Sequence, residues 1–168
     1  MSRLNSAKPF LKWAGGKRQL MPFLRERLPE EFGTYHEPFI GGGALFFDTQ
    51  PANAVIADYN LRLVRTYRAV RDTPEAVIAL LKTYPNEKEF FLSMRAQDID
   101  SADDVHLAAW MIYLNRTGFN GLYRVNRKGG FNVPFGRYKN PKICDAENLM
   151  AVARRLSDVE ILHSDFRS

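Results

Sequence analysis

Apolar and polar positions follow two rhythms along the chain, and the changes of rhythm divide it into elements. Tyr35 to Phe39, Ala54 to Asp58 and Val159 to Leu162 are short apolar or β-forming runs of strand length. Between them lie segments of helical spacing. Leu20, Phe23, Leu24 and Leu28 recur at helical intervals, with Pro22 tolerable near the start and Leu28-Pro29 closing the segment. Asn60 opens a helix over 61–71. Thr73-Pro74 predicts a capping hydroxyl before a proline at the first helical position, with Val77, Leu80 and Leu81 as the buried stripe behind it. Asn86 followed by Glu89 predicts another start, carrying Phe90, Phe91 and Met94. Val105 to Leu114 is apolar nearly all round, which predicts a buried helix. Asp145 caps a final helix to about Leu156, with Leu149, Val152 and Leu156 facing inward.

Residues 1–9 read as a flexible arm leading into a loop over Lys12–Lys17. The run of helices after the second strand breaks simple β-α alternation. An inserted subdomain over 65–145 is therefore expected, interrupting a core made of 1–64 and 146–168.

The first strand runs into Gly41-Gly42-Gly43 and then into the apolar segment Ala44-Leu45-Phe46-Phe47. Glycines let the backbone turn tightly and let a ligand approach closely. A strand–glycine–helix turn is where an α/β sheet holds nucleotide-like cofactors, although any tight turn of this kind favours glycine. The second strand strengthens the cofactor reading. It ends on Asp58, close to the spacing at which a dinucleotide fold places the acid that holds a ribose diol.

Composition narrows the class. A chain of 168 residues with 45% apolar residues suits one ordinary domain, and a formal net charge of +5 admits an acidic partner without demanding one. A single cysteine, Cys144, excludes a disulfide framework and agrees with a reducing cytoplasm. No apolar run approaches membrane-spanning length and no signal-peptide h-region is visible, so a soluble, cytoplasmic protein is expected. His36, His106 and His163 are scattered singles, so no metal site is expected. Gly15-Gly16-Lys17 is followed by Arg18 where a phosphate loop needs a hydroxyl for Mg²⁺, which argues against a phosphate-transferring enzyme.

The charge is unevenly placed. No acidic residue falls between Asp104 and Asp145, whereas Arg116, Arg124, Arg127, Lys128, Arg137, Lys139 and Lys142 do, interleaved with Phe119, Tyr123, Phe131, Phe135 and Tyr138. Lys128-Gly129-Gly130 predicts a turn between two β-like runs, hence a loop followed by a hairpin. Positive charge without counter-charge attracts phosphates, aromatics stack on or wedge between bases, and Asn and Arg read base edges. A solvated basic face is the plain alternative.

Three strings carry a family resemblance. Phe39-Ile40-Gly41-Gly42-Gly43 resembles the F-x-G-x-G cofactor motif of S-adenosylmethionine-dependent DNA methyltransferases. Lys12-Trp13-Ala14-Gly15-Gly16-Lys17 resembles the K-W-A-G-G-K segment of the Dam-like, D12 class, adenine-N6 branch. Asn115-Arg116-Thr117-Gly118-Phe119-Asn120-Gly121-Leu122-Tyr123-Arg124-Val125-Asn126, with Gly130-Phe131-Asn132-Val133-Pro134-Phe135-Gly136, is similar to that branch's target-recognition hairpin.

The resemblance implies an α/β fold: a Rossmann-like methyltransferase sheet with an inserted helical and β-hairpin recognition subdomain. It implies S-adenosylmethionine as cofactor, double-stranded DNA as partner, and methyl transfer to adenine N6 in GATC, in restriction–modification or in replication and repair. By position, Trp13 and Lys17 would hold the methionine end, and Phe39, Gly41 and Gly43 would line the turn. Asp58 would accept from the ribose hydroxyls, and Asp165 with Phe166 would frame the adenine. Arg124 would donate to a guanine, and Phe119 would fill the space left by the flipped adenine, where family members often carry Tyr. Asn120 and Leu122 would touch the opened site, and Tyr138 and Lys139 would lie nearer the backbone. Lys12 would reach the DNA from the amino-terminal loop. Arg116, Asn126, Pro134 and Arg137 complete the implied DNA-binding set. Taken singly, Trp13 also reads as core and Lys17 as a surface charge.

One family element is missing. Adenine N6 is a poor nucleophile, because its lone pair is delocalised into the ring, and the family positions it with a D-P-P-Y motif. No two of the nine prolines here are adjacent. The expectation is therefore a truncated member with an incomplete sheet, a first strand left as an unpaired edge, and little methylation by this chain alone. The alternative is a catalytically inactive DNA-binding fragment.

Overall fold

The computed structural model describes residues 6–165. Three parallel strands form its sheet: β1 (Tyr35–Glu37), β2 (Ala54–Asp58) and β3 (Glu160–His163), in the order β1-β2-β3. In this register Glu37 lies opposite Ile56 and Asp58 opposite His163, so all three strands release their chains from the same end. β2 is central, and its Ile56 and Ala57 are buried. Helix α1 (Met21–Arg27) precedes the sheet and α2 (Ala44–Thr49) links β1 to β2. The return to β3 carries α3 (Leu61–Asp72), α4 (Pro74–Leu81), α5 (Lys88–Arg95), α6 (Asp104–Thr117) and α7 (Ala146–Leu156).

α3 joins the layers. Asn60 caps it by accepting the Leu63 amide at 3.2 Å, and Leu63, Val64, Tyr67 and Val70 bury one face against the sheet, α6 and α7. The opposite face carries an arginine at every third position, and each is tied down. Arg62 forks onto Asp100, Arg65 pairs with Asp104, Arg68 donates to Ile161 O of β3, and Arg71 donates to Val159 O. Four of the chain's 24 lysines and arginines are thus tied into the fold by this one helix. α6 is buried almost throughout, with Trp110 at 1% exposure and its indole donating to Met94 O at 2.8 Å. The buried apolar residues form one cluster, running from Ala7 to Ile161.

Several local expectations give way to other contacts. Residues 6–9 are held rather than loose: Ala7 is buried, and Asn148 of α7 exchanges hydrogen bonds with Lys8 N and O at 2.9 and 3.1 Å. Residues 1–5 of the expected arm lie outside the described residues. The apolar stripe of α1 is only partly covered: Leu20 and Phe23 are exposed, while Leu24 and Leu28 are half-buried. Asn86 does not cap α5, since its amide donates to Tyr138 O at 2.8 Å; Glu87 takes the cap position. Thr73 precedes Pro74 as expected, but its hydroxyl donates back to Ala69 O at 3.1 Å instead of capping α4.

Candidate functional site

A cleft of about 1210 Å³ opens where the strands end, lined by the loop over Lys12–Lys17, the glycine turn and Asp58. The turn is built from β2 outward. Ile40 N donates to Ala57 O at 2.9 Å and Gly43 N to Ile40 O at 2.8 Å, drawing residues 40–43 across the strand end. Gly43 has a φ of +77°, and a Cβ there would lie 2.8 Å from the Phe47 ring and 2.9 Å from the Tyr67 hydroxyl. Only glycine meets both demands. Behind the turn, the fully buried Tyr67 donates to Gly41 O at 2.9 Å. Burial, and then the charges of Glu37 and Asp58, push this phenol well above its usual range, so it stays a neutral donor.

Asp58 reaches into the turn. Its Oδ2 accepts from Gly41 N at 3.1 Å and its Oδ1 from Asn60 N at 2.9 Å. Each oxygen keeps a lone pair for a further donor. Across the cleft, Lys17 Nζ donates to Glu37 Oε1 at 2.5 Å and to Phe39 O at 3.3 Å. Glu37 is 4% exposed, and its second oxygen accepts from Tyr35 Oη at 2.5 Å. Burial, and then the bond to Glu37 and its charge, raise the Tyr35 phenol far above its usual value. Trp13 stands beside the turn, its Cδ1 3.0 Å from where a Gly41 side chain would begin.

The basic segment forms a ribbon next to this cleft. Val125 bridges Phe131 and Gly118 bridges Phe135, both antiparallel, without regular strands. Asn126 closes the turn, its Oδ1 accepting from Lys128 N and Gly130 N, both at 2.9 Å. Phe131 and Val133 are buried, with Phe131 edge-on to Trp110 at 5.6 Å, so one face of the ribbon is anchored. The other exposes Arg124, Arg127 and Lys128. Arg124 donates through Nε to Asn132 Oδ1 at 2.8 Å and through Nη2 to Asn132 O at 2.9 Å, which ties the guanidinium across the ribbon. Phe119 is 48% exposed, and the neighbouring Asn120 amide donates to Tyr138 Oη at 2.9 Å.

Of the residues singled out from sequence, Trp13, Lys17, Phe39, Gly41, Gly43 and Asp58 line one cleft, and Lys12 lines it too. Asp165 follows β3 at the same end of the sheet, and Phe166 lies outside the described residues. Phe119, Asn120, Arg124, Asn126, Pro134, Tyr138 and Lys139 are exposed along the ribbon and its flanks, Arg137 is exposed at a φ of +55°, and Leu122 is half-buried. Arg116 lies elsewhere. It is half-buried beneath the amino-terminal segment, donates to Phe10 O at 3.1 Å, and lines the cleft; desolvation lowers its pKa, partly offset by Asp145.

Three contributors escaped the sequence reading: Glu37, Tyr67 and Asn115. Glu37 ends a strand on a carboxylate, the same signal that marks Asp58. Among the described residues, no cluster of His, Cys, Asp and Glu could hold a metal ion, and no helix is long and apolar enough to cross a membrane.

Comparison with known proteins adds a family and relatives. A profile described as "D12 class N6 adenine-specific DNA methyltransferase" matches residues 13–168. A type II methyltransferase of Lactococcus lactis subsp. cremoris is 47% identical over 167 residues, covering 95% of this chain and 59% of the relative. A type II methyltransferase of Methanocaldococcus jannaschii is 42% identical, covering 95% of this chain and 62% of its own length. A DNA adenine methylase of Vibrio cholerae is 40% identical over 148 residues, covering 86% of this chain and 53% of the relative. The chain thus spans between about half and three-fifths of the length of these relatives.

Proposed function

The chain belongs to the D12 class N6 adenine-specific DNA methyltransferase family, and from that premise we propose that it supplies the cofactor-binding and DNA-reading part of an enzyme that methylates adenine N6 in duplex DNA, with S-adenosylmethionine as donor and GATC as target. The observation that supports this best is a single cleft that gathers Trp13, Lys17, the glycine turn and Asp58 beside an exposed arginine ribbon. In this reading the three strands are part of a Rossmann-like methyltransferase sheet, and residues 65–145 are the recognition unit, with α3 shared between them.

The donor set fits the cofactor. S-adenosylmethionine, when bound, supplies an electrophilic methyl group on a sulfonium. Lys17 is the cation for its carboxylate, and Trp13 is a flat wall for the methionine end. Asp58, already oriented by two backbone amides, offers its remaining lone pairs to the ribose hydroxyls. Asp165 and Phe166 frame the adenine. On the DNA side, Arg124 reads a guanine through the part of its fork that Asn132 leaves free. Phe119 fills the gap of the flipped adenine, while Asn120 and Leu122 border it. Lys12, Asn126, Pro134, Arg137, Tyr138 and Lys139 meet the surrounding bases and backbone. Arg116 acts indirectly, holding the segment that carries Lys12.

Holding the N6 hydrogens so that the lone pair points at the methyl group needs precisely placed acceptors, and this sequence has no D-P-P-Y to supply them. That absence favours a second statement: these 168 residues bind without turning over. The test is calorimetric titration with S-adenosylhomocysteine, a GATC duplex and a scrambled duplex, together with a methyl-transfer assay. The expected result is saturable binding of the analogue, preference for GATC and negligible turnover. Failure to bind the analogue, or equal affinity for both duplexes, would overturn the functional reading; normal turnover would overturn the second statement alone.

A further inference from the structure

Asn115 joins two loops that are distant in sequence. The residue lies on α6 and is 5% exposed. Oδ1 accepts from Lys12 N at 2.9 Å, and Nδ2 donates to Lys12 O at 2.8 Å and to Gly121 O at 3.1 Å. One buried carboxamide therefore holds the backbone of the loop carrying Trp13 and Lys17 and the backbone of the loop carrying Phe119 and Asn120. Both of its N–H donors are used, so no carboxylate or hydroxyl side chain reproduces the pattern.

Two further contacts tie the same pair of loops. Trp13 stacks on Tyr123, with ring centres 5.1 Å apart and planes at 24°. The Lys12 side chain lies against Gly121, where φ is +61° and a Cβ would fall 2.6 Å from Lys12 Cδ. Tyr123 is anchored in turn, accepting from Arg62 Nη1 at 3.4 Å, and Arg62 is forked onto Asp100.

We propose that Asn115 is a positioning residue that makes the cofactor loop over 12–17 and the DNA-reading loop over 118–123 behave as one body, so that a ligand at either site raises affinity at the other. This rests on the reading of the two sites given above. A ligand that orders one loop orders the shared Asn115 framework, and the second ligand then meets a smaller ordering cost. Linkage makes the effect reciprocal: the factor by which DNA tightens cofactor binding equals the factor by which cofactor tightens DNA binding.

The test measures the affinity of S-adenosylhomocysteine with and without a GATC duplex, and of the duplex with and without S-adenosylhomocysteine, in the wild-type chain and in Asn115→Asp. The wild type is expected to show the same coupling in both directions, about fivefold or more. In Asn115→Asp, which keeps the size and the acceptor but loses both donors, coupling is expected to fall to near unity while each ligand alone still binds within a few-fold of wild type. Wild-type coupling retained in Asn115→Asp overturns the proposal. A wild-type chain that binds both ligands without coupling overturns it too, but leaves the functional reading standing. A wild-type chain that binds neither removes the reading first and the proposal with it. Should Asn115→Asp not fold, hydrogen exchange on the wild-type chain decides. S-adenosylhomocysteine alone is expected to slow exchange at the amides of Asn120 and Leu122, which bond Tyr138 Oη and Phe119 O. Protection confined to residues 12–17 and 39–43 overturns the proposal.

Discussion

Gly41 N donates to Asp58 Oδ2 at 3.1 Å, so the acid that ends β2 is bonded into the glycine turn that follows β1. The two strands are neighbours in the sheet, and this bond fixes the turn's height above their ends. Asp58 Oδ1 is held as well, by Asn60 N at 2.9 Å, which begins the cap of α3. One carboxylate thereby sets both the turn and the next helix, and its outward lone pairs point with a direction that the backbone imposes.

Asp58→Ala is expected to weaken S-adenosylhomocysteine binding by at least about tenfold, one lost charged hydrogen bond, and to destabilise the fold by roughly 1–3 kcal/mol through two amides left without their acceptor. Asp58→Asn keeps one acceptor oxygen, so it should lose similar affinity with a smaller drop in melting temperature. Calorimetric binding and thermal unfolding separate the two effects. Wild-type affinity in both variants would remove Asp58 from the cofactor site.

The ribbon separates charge from direction. Lys139→Ala removes a charge with freedom of orientation and should weaken binding evenly across sequences, reducing the slope of log K against log salt by about one unit. Arg124→Ala should lose roughly 1–3 kcal/mol of discrimination at one base pair as well as affinity. Asn132→Ala keeps every charge but removes the side-chain half of the brace, the Nε–Oδ1 bond, leaving the Arg124 guanidinium held by the Asn132 carbonyl alone. It is expected to reduce discrimination with the salt slope unchanged. Binding to GATC and single-substitution duplexes at several salt concentrations checks all three, and an Asn132→Ala ribbon that discriminates as well as wild type would show that the brace is irrelevant to reading.

β2, β3, α6 and α7 were legible in the sequence because each is written in consecutive or regularly spaced apolar residues, and Asp145 caps α7 as its position predicts, accepting Asn148 N at 3.2 Å. Asp58 and the glycine turn were legible for the same reason: the signal is local. Apart from Thr73, whose hydroxyl turns back to Ala69 O, two of the misses involve partners far away in the chain. Asn86 looks like a cap until Tyr138 O competes for its amide, and Ala7 looks like arm until Asn148 pins Lys8. The pairing of the α3 arginines has no local sign either, because Asp100, Asp104 and Ile161 O, which take up Arg62, Arg65 and Arg68, lie more than thirty residues on. Asn115 opens the string that resembles the recognition hairpin, but its role in joining two loops had no sign in the sequence, since two of its three bonds run to Lys12.

Acid should destabilise the chain through identifiable carboxylates. The hydrogen bonds of Arg62 hold Asp100 below its usual range, and the His106 backbone amide, which Asp103 caps at the start of α6, does the same for Asp103. A folded-state value below the unfolded one, near 3.9, means that the unfolded chain binds more protons as pH falls. The stabilisation is thus fully present above about pH 4 and is lost as pH drops through the lower folded-state values. Both carboxylates are largely exposed, so each contributes about 1 kcal/mol or less. Asp100→Asn should lower the melting temperature slightly at pH 7 and show a shallower loss between about pH 4 and pH 2. A variant with the wild-type acid slope would mean that other groups carry the effect.

Lys17 presents two requirements that conflict. It is the cation expected to meet the cofactor's carboxylate, yet it already bonds Glu37 at 2.5 Å and Phe39 O at 3.3 Å. Glu37 is far more buried than Lys17, at 4% against 35% side-chain exposure, so the pair matters more to the acid than to the base. Removing the lysine leaves a carboxylate beneath the cleft held by the Tyr35 hydroxyl, and a buried charge that loses its partner costs more than the pair contributed. Because Lys17 is partly solvated, the cost is expected at the lower end, about 1–2 kcal/mol in Lys17→Met. Adding Glu37→Gln should recover most of that stability, because the neutral amide still bonds Tyr35 and leaves no charge behind. It should not recover affinity for S-adenosylhomocysteine, which needs the cation itself. A double variant that regains stability but not binding assigns Glu37 to holding Lys17 and Lys17 to the ligand. Recovery of both, measured by chemical denaturation and calorimetric titration on the same preparations, would show that Lys17 serves the fold alone.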